Sequence, residues 1–226
     1  MQAAKILMKI LYAARMARFD LLRVVASLAT ELTRWTEDCD RRLHRLVCYI
    51  WSTKHYRLIG VVADPPSSLS PHLFADADFA GGKRTMRSTS GAHLALHGPR
   101  TFFPLHGLSK RQTAASHSTP EAEMVAAAMA LRTIGIPSLD LWSILLERQA
   151  TLTFHEDNEA MIKVCRTGKN PTMRHINRVH GVSAVELHER FSDPQFKLVY
   201  EKSALRNFRS ACDSIPTSRL YTLPAP

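Results

Sequence analysis

The stretch Leu73-Phe74-Ala75-Asp76-Ala77-Asp78-Phe79-Ala80-Gly81-Gly82 decides the fold of this chain. Its first residues are apolar and predict a buried strand, and the glycine pair predicts a turn. Residues i and i+2 of a strand share a face, so Asp76 and Asp78 begin on one side. A carboxylate there requires a cationic partner or a divalent metal, because burying an unpaired charge costs several kcal/mol. A solvated strand end followed by a turn is the alternative interpretation.

Composition limits the class of protein. The 226 residues suffice for one large domain, or one domain and an appendage, with a full hydrophobic core. A net charge of +10 favours polyanionic partners, above all nucleic acid phosphates. Four scattered cysteines indicate a reducing, intracellular compartment, either cytoplasm or nucleus. No uninterrupted apolar run reaches the ~18 residues of a bilayer span, so no membrane partner is expected.

The order of sequence patterns predicts four segments. Residues 1–62 show helical apolar spacing, with one helix over 3–34 and a second over 40–53. Up to Gly60 this part holds 11 Lys and Arg against 5 Asp and Glu, a net +6 that either tracks a nucleic acid backbone or is merely solvated. The other predicted segments are a Pro- and Ser-rich linker at 63–70, a strand-and-helix domain at 71–203 and an irregular tail at 204–226.

Within 71–203 the pattern alternates between short strands and helices. The main helix begins at Ser118-Thr119-Pro120, a capping sequence, and is predicted to end at Gly135 and Pro137. The predicted strands are 73–77, 92–96, 101–105, 151–155 and 196–200, and the predicted helices are 119–134, 138–147, 159–166 and 175–191.

Carboxylates stand at the ends of three of these elements. Asp76 lies on the first strand, Glu121 or Glu123 in the first turn of the main helix, and Asp157 after a later strand. Such acids can converge at one edge of a sheet, where two-metal phosphodiester chemistry is built. Taken singly, each has an ordinary structural explanation as a helix-dipole or helix-capping acid.

Several motifs in one order carry a resemblance to a known family. Over residues 5–203 the chain resembles the ribonuclease H domain of copia-type LTR retrotransposon polyproteins, preceded by the tail of their reverse transcriptase. The first motif is Phe74 to Gly81. The others are Arg87-Ser88-Thr89-Ser90-Gly91, Leu108-Ser109-Lys110-Arg111-Gln112-Thr113, Ser118-Thr119-Pro120-Glu121-Ala122-Glu123, Glu156-Asp157-Asn158 and Arg174-His175-Ile176.

The resemblance implies a fold and a metal site. The fold is α/β, a ribonuclease H-like mixed five-stranded sheet with flanking helices, preceded by a helical segment. Asp76, Glu123 and Asp157 are implied as the catalytic, metal-binding carboxylates. Glu121 is excluded by phase, because residues two apart on a helix point ~200° apart. Asp78 is expected to support the turn.

The implied reaction is hydrolysis of the RNA strand of an RNA/DNA hybrid with two Mg²⁺ ions, Mn²⁺ being an alternative. The rest of a reverse transcriptase is a further implied partner. Lys110, Arg111 and Arg87 are candidate phosphate contacts or solvated loop residues. His175 and His180 are candidates for a role in product release.

Two departures from the family pattern bear on activity. No Tyr-x-Asp-Asp motif is present, so no polymerase activity is implied. Where the family has a fourth carboxylate after the last strand, this sequence has Arg209. Asp213 would replace that ligand only if about four residues bulge. The sequence therefore predicts either a nuclease impaired by the missing acid or a non-catalytic remnant that binds nucleic acid.

Overall fold

The helices and strands of the chain are defined in a computed structural model that describes residues 2–82, 85–170, 173 and 175–202, and the backbone of 221–222. The helices are α1 Gln2–Met16, α2 Leu22–Ala29, α3 Glu37–Ser52, α4 Thr119–Ala130, α5 Ile136–Leu145, α6 Glu159–Thr167, α7 Ile176–His180 and α8 Ala184–Ser192. The strands are β1 Arg57–Leu58, β2 Ser70–Asp78, β3 Thr89–His97, β4 Phe102–Arg111, β5 Leu152–Glu156, β6 Phe196–Tyr200 and β7 Tyr221–Thr222.

Five of the strands form one mixed sheet in the order β4-β3-β2-β5-β6. The strands β4, β3 and β2 are antiparallel to one another, whereas β5 and β6 run parallel to β2. The mixed five-stranded sheet with flanking helices confirms the ribonuclease H-like fold that was predicted. Because β2 and β5 are parallel neighbours, their carboxyl ends lie at the same edge of the sheet.

The main core lies between the sheet and α4. Alternation along β2 places Leu73, Ala75 and Ala77 in this core, where they are 8% exposed or less. The alanine-rich α4 approaches the sheet closely, and its Met124 is fully buried.

The main helix does not end where the sequence predicts. A π-helical turn, Leu131–Gly135, joins α4 to α5 without a break, so the prediction of an end at Gly135 and Pro137 is wrong. Gly135 packs directly on the sheet, because an added Cβ would lie 2.9 Å from side-chain atoms of both Leu73 and Leu152. The wider turn also accommodates Pro137, which cannot donate a helical hydrogen bond.

The joined helix Thr119–Leu145 is long and apolar enough, by length and composition alone, to cross a membrane, with a mean hydropathy of 1.3 over its most apolar window. Half of that window is buried inside the protein. The core helix of a globular protein passes the same test. The segment contains no long uninterrupted apolar run, because polar residues are spread through it, and its apolar character shows only in the mean hydropathy.

The N-terminal helices form a second core and pack on the other side of the sheet. Phe19 joins the two parts: its ring meets that of His93 on β3 edge to face, with centroids 5.7 Å apart. The single helix predicted over 3–34 is wrong. The chain turns after α1, where Arg18 binds Asp20 at 2.7 Å and the Thr53 hydroxyl at 2.8 Å.

Smaller differences from the sequence predictions have local causes. The helix predicted over 175–191 is two helices, α7 and α8, separated at Gly181 with φ +65°. The strands β3 and β4 are longer than predicted. The predicted linker contains a short 3₁₀ turn at Pro66–Ser68, and Asp64 accepts the Arg100 N–H at 2.7 Å. The tail residues 203–220 and 223–226, with Arg209 and Asp213, lie outside the described residues; Tyr221–Thr222 pairs with Arg57–Leu58.

Candidate active site

Three carboxylates meet at the carboxyl edge of β2 and β5. Asp76 lies near the end of β2, Glu123 in the first turns of α4, and Asp157 directly after β5. One carboxylate oxygen from each lies within 4.8 Å of the other two. Glu123 is 4% exposed, and the two aspartates are partly exposed. We call these three residues the acid triplet.

The chemistry of the acid triplet fits a hard divalent cation. Three carboxylates at this separation repel one another by a few kcal/mol per pair at an effective dielectric constant of ~20, if all are ionised. Oxygen ligands without nitrogen or sulfur suit Mg²⁺ or Mn²⁺, and Mg²⁺ retains several waters when a few carboxylates bind it. Among the described residues no other three His, Cys, Asp or Glu side chains meet so closely.

Glu156 holds the chain around Asp157. Its side chain is fully buried, and Oε1 accepts the N–H groups of Asp157 and Asn158, each at 3.0 Å. The Asn158 side chain then caps α6 by accepting the Met161 N–H at 3.0 Å. Burial, and secondly the charge of Glu156, raises the pKa of the Cys165 thiol to about 12. The motif Glu156-Asp157-Asn158 did not predict this role for Glu156.

Gln112 ties the start of α4 to the sheet. It is 5% exposed, and its side-chain amide donates to the Ser90 hydroxyl and to the Ala122 carbonyl, both at 3.0 Å. Its carbonyl accepts from the Ser116 hydroxyl at 3.1 Å. These hydrogen bonds link the start of α4 to β3, and they thereby position Glu123 relative to the sheet. The motif over residues 108–113 contained Gln112 without indicating this function.

Glu121 lies two residues from Glu123 but faces another environment. Its carboxylate accepts the His117 N–H at 3.0 Å and contacts Nε2 of His175 and Nε2 of His180, each at 3.2 Å. Glu121 is 1% exposed and is outside the acid triplet, in agreement with the expected helical phase. The Ser118 hydroxyl caps the same turn by accepting the Glu121 N–H at 3.3 Å.

The two histidines considered for product release therefore lie on Glu121. The His180 side chain is fully buried, and that of His175 is 38% exposed. Their role stays a prediction. The arrangement itself connects α7 to the first turn of α4.

Asp78 supports the turn after β2. One of its oxygens accepts the Thr89 N–H, and the other forms an ion pair with Arg23 at 3.0 Å. Gly81 has no room for a side chain, because a Cβ would lie 2.1 Å from an Asp78 oxygen. The carboxylate of Asp78 is outside the acid triplet.

The predicted cationic residues lie at the same end of the sheet. The register places Asp78 opposite Thr89, and Thr89 opposite Arg111. Lys110 and Arg87 are exposed, and Arg111 donates to the Thr85 hydroxyl at 2.6 Å. Asp213, predicted as a possible metal ligand, lies outside the described residues, as does Arg174 of the last motif.

Comparison with known proteins found similarity to solved structures alone. A scan against models of protein families and a search of curated proteins gave no match. LC11-RNase H1, isolated from compost by a metagenomic approach, is 14% identical with a TM-score of 0.40, covering 60% of this chain and 86% of that one. The PFV RNase H domain is 13% identical with a TM-score of 0.38, covering 65% and 87%.

The foamy viral protease-reverse transcriptase, solved in complex with dsDNA, is 12% identical with a TM-score of 0.35, covering 63% of this chain and 86% of that one. At these identities and TM-scores the similarities carry no argument for function. Function has to be argued from the chain's own side chains.

Proposed function

We propose that the chain is the ribonuclease H domain of a copia-type LTR retrotransposon polyprotein, with part of the preceding reverse transcriptase. The observation that carries this proposal is the acid triplet, with Asp76, Glu123 and Asp157 brought within 4.8 Å at the edge of a ribonuclease H-like sheet. The ordered motifs from Phe74 to Ile176 support the copia-type assignment.

The proposed reaction is hydrolysis of RNA in an RNA/DNA hybrid. Asp76, Glu123 and Asp157 hold two Mg²⁺, or alternatively Mn²⁺. Bound metal ions supply an activated water and stabilise the leaving 3′ oxygen. The chain itself orients the ligands: Glu156 fixes the backbone at Asp157, and Gln112 fixes the start of α4.

Substrate recognition is proposed to depend on shape. An A-like hybrid offers 2′-hydroxyls and phosphates, with little access to base edges, so sequence preference is weak. Lys110, Arg111 and Arg87 lie at the end of the sheet that carries the acid triplet, and they contact phosphates. A larger reverse transcriptase is the proposed partner of the N-terminal helices.

The experiment is cleavage of a labelled RNA/DNA hybrid by the purified chain with Mg²⁺ or Mn²⁺. We expect cleavage that Asp76→Asn, Glu123→Gln and Asp157→Asn each abolish. Asp140→Asn, at an exposed position on α5, is the matched control and keeps activity. Cleavage that survives Asp76→Asn would contradict the proposal.

A non-catalytic nucleic acid-binding remnant is the second candidate, and Arg209 at the expected place of the fourth acid favours it. A basic side chain there opposes binding of a second cation. Tight, salt-sensitive hybrid binding without cleavage in either metal would decide for this candidate.

A further inference from the structure

The last strand of the sheet, β6, has one edge without a partner strand in the described part of the chain. The sheet ends at β6, which pairs on its other side with β5. The strand is short, and Tyr200 at its end is 43% exposed. An unpaired edge is a template for another strand, because its N–H and C=O groups point outward.

The hydrogen bonds to β5 show which residues of β6 face this free edge. The Leu152 N–H donates to the Gln195 carbonyl at 2.8 Å, in a parallel register that continues along both strands. Because alternate residues of a strand bond to the same neighbour, the odd-numbered residues after Gln195 pair with β5. The peptide groups of Leu198 and Tyr200 therefore point towards the free edge.

The sequence at this edge is complementary to itself when two copies run antiparallel. The stretch is Lys197-Leu198-Val199-Tyr200-Glu201. With a twofold axis at Val199, Lys197 lies opposite Glu201 of the second copy, and Leu198 lies opposite Tyr200. Cross-strand pairs of opposite charge and of apolar side chains are favourable. A register two residues away would place Lys197 opposite Val199 and lose both charge pairs.

The same register satisfies the backbone of the free edge. Leu198 and Tyr200 face each other across the two copies as a hydrogen-bonded pair, in which each offers one N–H and one C=O. The twofold axis repeats this pair. Lys197 and Glu201 form the alternate, non-hydrogen-bonded pairs, in which side chains approach more closely. Hydrogen bonding and charge therefore favour one register.

Both charged side chains are accessible on one face of the sheet. Lys197 is exposed, and the side chain of Glu201 is 26% exposed. Oε2 of Glu201 contacts Nδ1 of His155 at 2.5 Å, which holds the carboxylate on the face that carries Lys197. A carboxylate that is already positioned loses less side-chain entropy when a lysine of the second copy binds it.

We propose that two copies of this chain pair antiparallel through their β6 edges and so join their two five-stranded sheets into one. One short strand from each copy makes a small interface. We expect a monomer–dimer equilibrium with a dissociation constant on the order of 10–100 μM, the range of weak complexes with small interfaces. The inference is independent of the proposed function, because the pairing uses no member of the acid triplet.

The test is sedimentation equilibrium of the full chain over concentrations that bracket this dissociation constant. Lys197→Glu and Glu201→Lys should each weaken dimerisation at least about tenfold, because two attractive cross-strand pairs become repulsive. An equimolar mixture of the two variants should dimerise about as well as the parent chain, since opposite charges then face each other at both places.

Three further variants control for charge and for folding. Lys9→Glu makes the same charge change at an exposed position of α1 and should leave the dissociation constant close to the parent value. Tyr200→Pro removes an N–H that points to the second copy and none that bonds to β5, so it should abolish dimerisation in a folded chain. Tyr200→Val keeps that N–H and should still dimerise. Urea denaturation shows which variants are folded.

The results decide the inference in each case. A parent chain that stays monomeric well above the expected dissociation constant would overturn it. A dimer that Lys197→Glu and Tyr200→Pro leave unchanged would have its interface elsewhere, and the inference would be wrong. It would also be wrong if both charge variants fold as monomers and their mixture does not associate. If Glu201→Lys does not fold, the comparison of Tyr200→Pro with Tyr200→Val decides.

Discussion

Glu121 and Glu123 lie two residues apart on α4, and their carboxylates serve different parts of the molecule. Glu123 joins Asp76 and Asp157 in the acid triplet. Glu121 contacts two imidazoles and accepts the His117 N–H. The helical rotation between them thus separates a candidate metal ligand from an anchor that fixes α7 to the start of the same helix.

The first prediction concerns this anchor. Glu121→Ala should lower the free energy of unfolding by about 1–3 kcal/mol, because it removes the buried carboxylate that accepts the His117 N–H and contacts the His175 imidazole. Glu121→Gln, which keeps the shape and one acceptor, should lose less. Urea denaturation measures both changes.

Metal binding by the folded Glu121→Gln variant should stay near the wild-type value, as measured by calorimetry with Mg²⁺. Loss of Mg²⁺ affinity with an unchanged free energy of unfolding would identify Glu121 as a ligand and contradict its assignment as an anchor.

The second prediction concerns repulsion within the acid triplet. Without metal, Asp76→Asn should raise the free energy of unfolding by an amount of the order of 1 kcal/mol, because one of three mutually repelling carboxylates becomes neutral. With Mg²⁺ the order reverses, since the cation stabilises the wild-type chain through its bound state and the variant has lost a ligand. Urea denaturation with and without Mg²⁺ gives both values.

Asp140→Asn is the control for this comparison, since Asp140 is exposed on α5 away from the acid triplet. Equal responses of Asp76→Asn and Asp140→Asn to Mg²⁺ would show that the metal does not bind at the triplet.

The sequence alone could predict the elements that carry the acid triplet. Apolar residues before Asp76 and the capping sequence before Glu123 are local signals, and local signals determine where a strand or helix begins. The prediction of a five-stranded sheet needed the resemblance to a known family in addition to these elements.

The supporting contacts could not be predicted in the same way. Glu121 meets His175 across 54 positions of sequence, and Gln112 reaches Ser90 across 22. Such contacts depend on how separate elements pack, which no local pattern encodes. The helix end predicted at Gly135 was wrong for the same reason. Gly135 packs on the sheet, and this packing overrides its usual role as a helix terminator.

The third prediction concerns three histidines on the sheet face opposite α4, of which His93 is buried and His72 and His97 are partly buried. Burial lowers the pKa of His93 to about 3, and mainly burial lowers the pKa values of His72 and His97 to about 4. The unfolded chain binds protons at these groups as the pH falls below 6.5, whereas the folded chain binds them only near pH 4 and below. The free energy of unfolding should therefore be highest above pH 6.5 and fall as the pH decreases towards 4.

His93→Phe should flatten this fall by up to about 1.4 kcal/mol per pH unit, the contribution of one proton. A phenyl ring suits the position, because His93 already contacts the rings of Phe19 and Phe74. Urea denaturation at pH 7, 6 and 5 measures the slope. His55→Gln, at an exposed position, should leave it unchanged, and an equal slope in both variants would contradict the assignment.

The fourth prediction tests the close packing of the main helix on the sheet. Gly135→Ala adds a methyl group 2.9 Å from side-chain atoms of Leu73 and Leu152, both fully buried. Overpacking of this kind costs about 1–3 kcal/mol, which exceeds the gain of up to about 1 kcal/mol from better helix propensity. The variant should therefore be less stable in urea denaturation, although alanine is the better helix former. Thr133→Ala, two residues away in the same helical turn and exposed, should change the free energy of unfolding by no more than about 0.5 kcal/mol. A stabilised Gly135→Ala variant would mean that the helix stands further from the sheet than the structure places it.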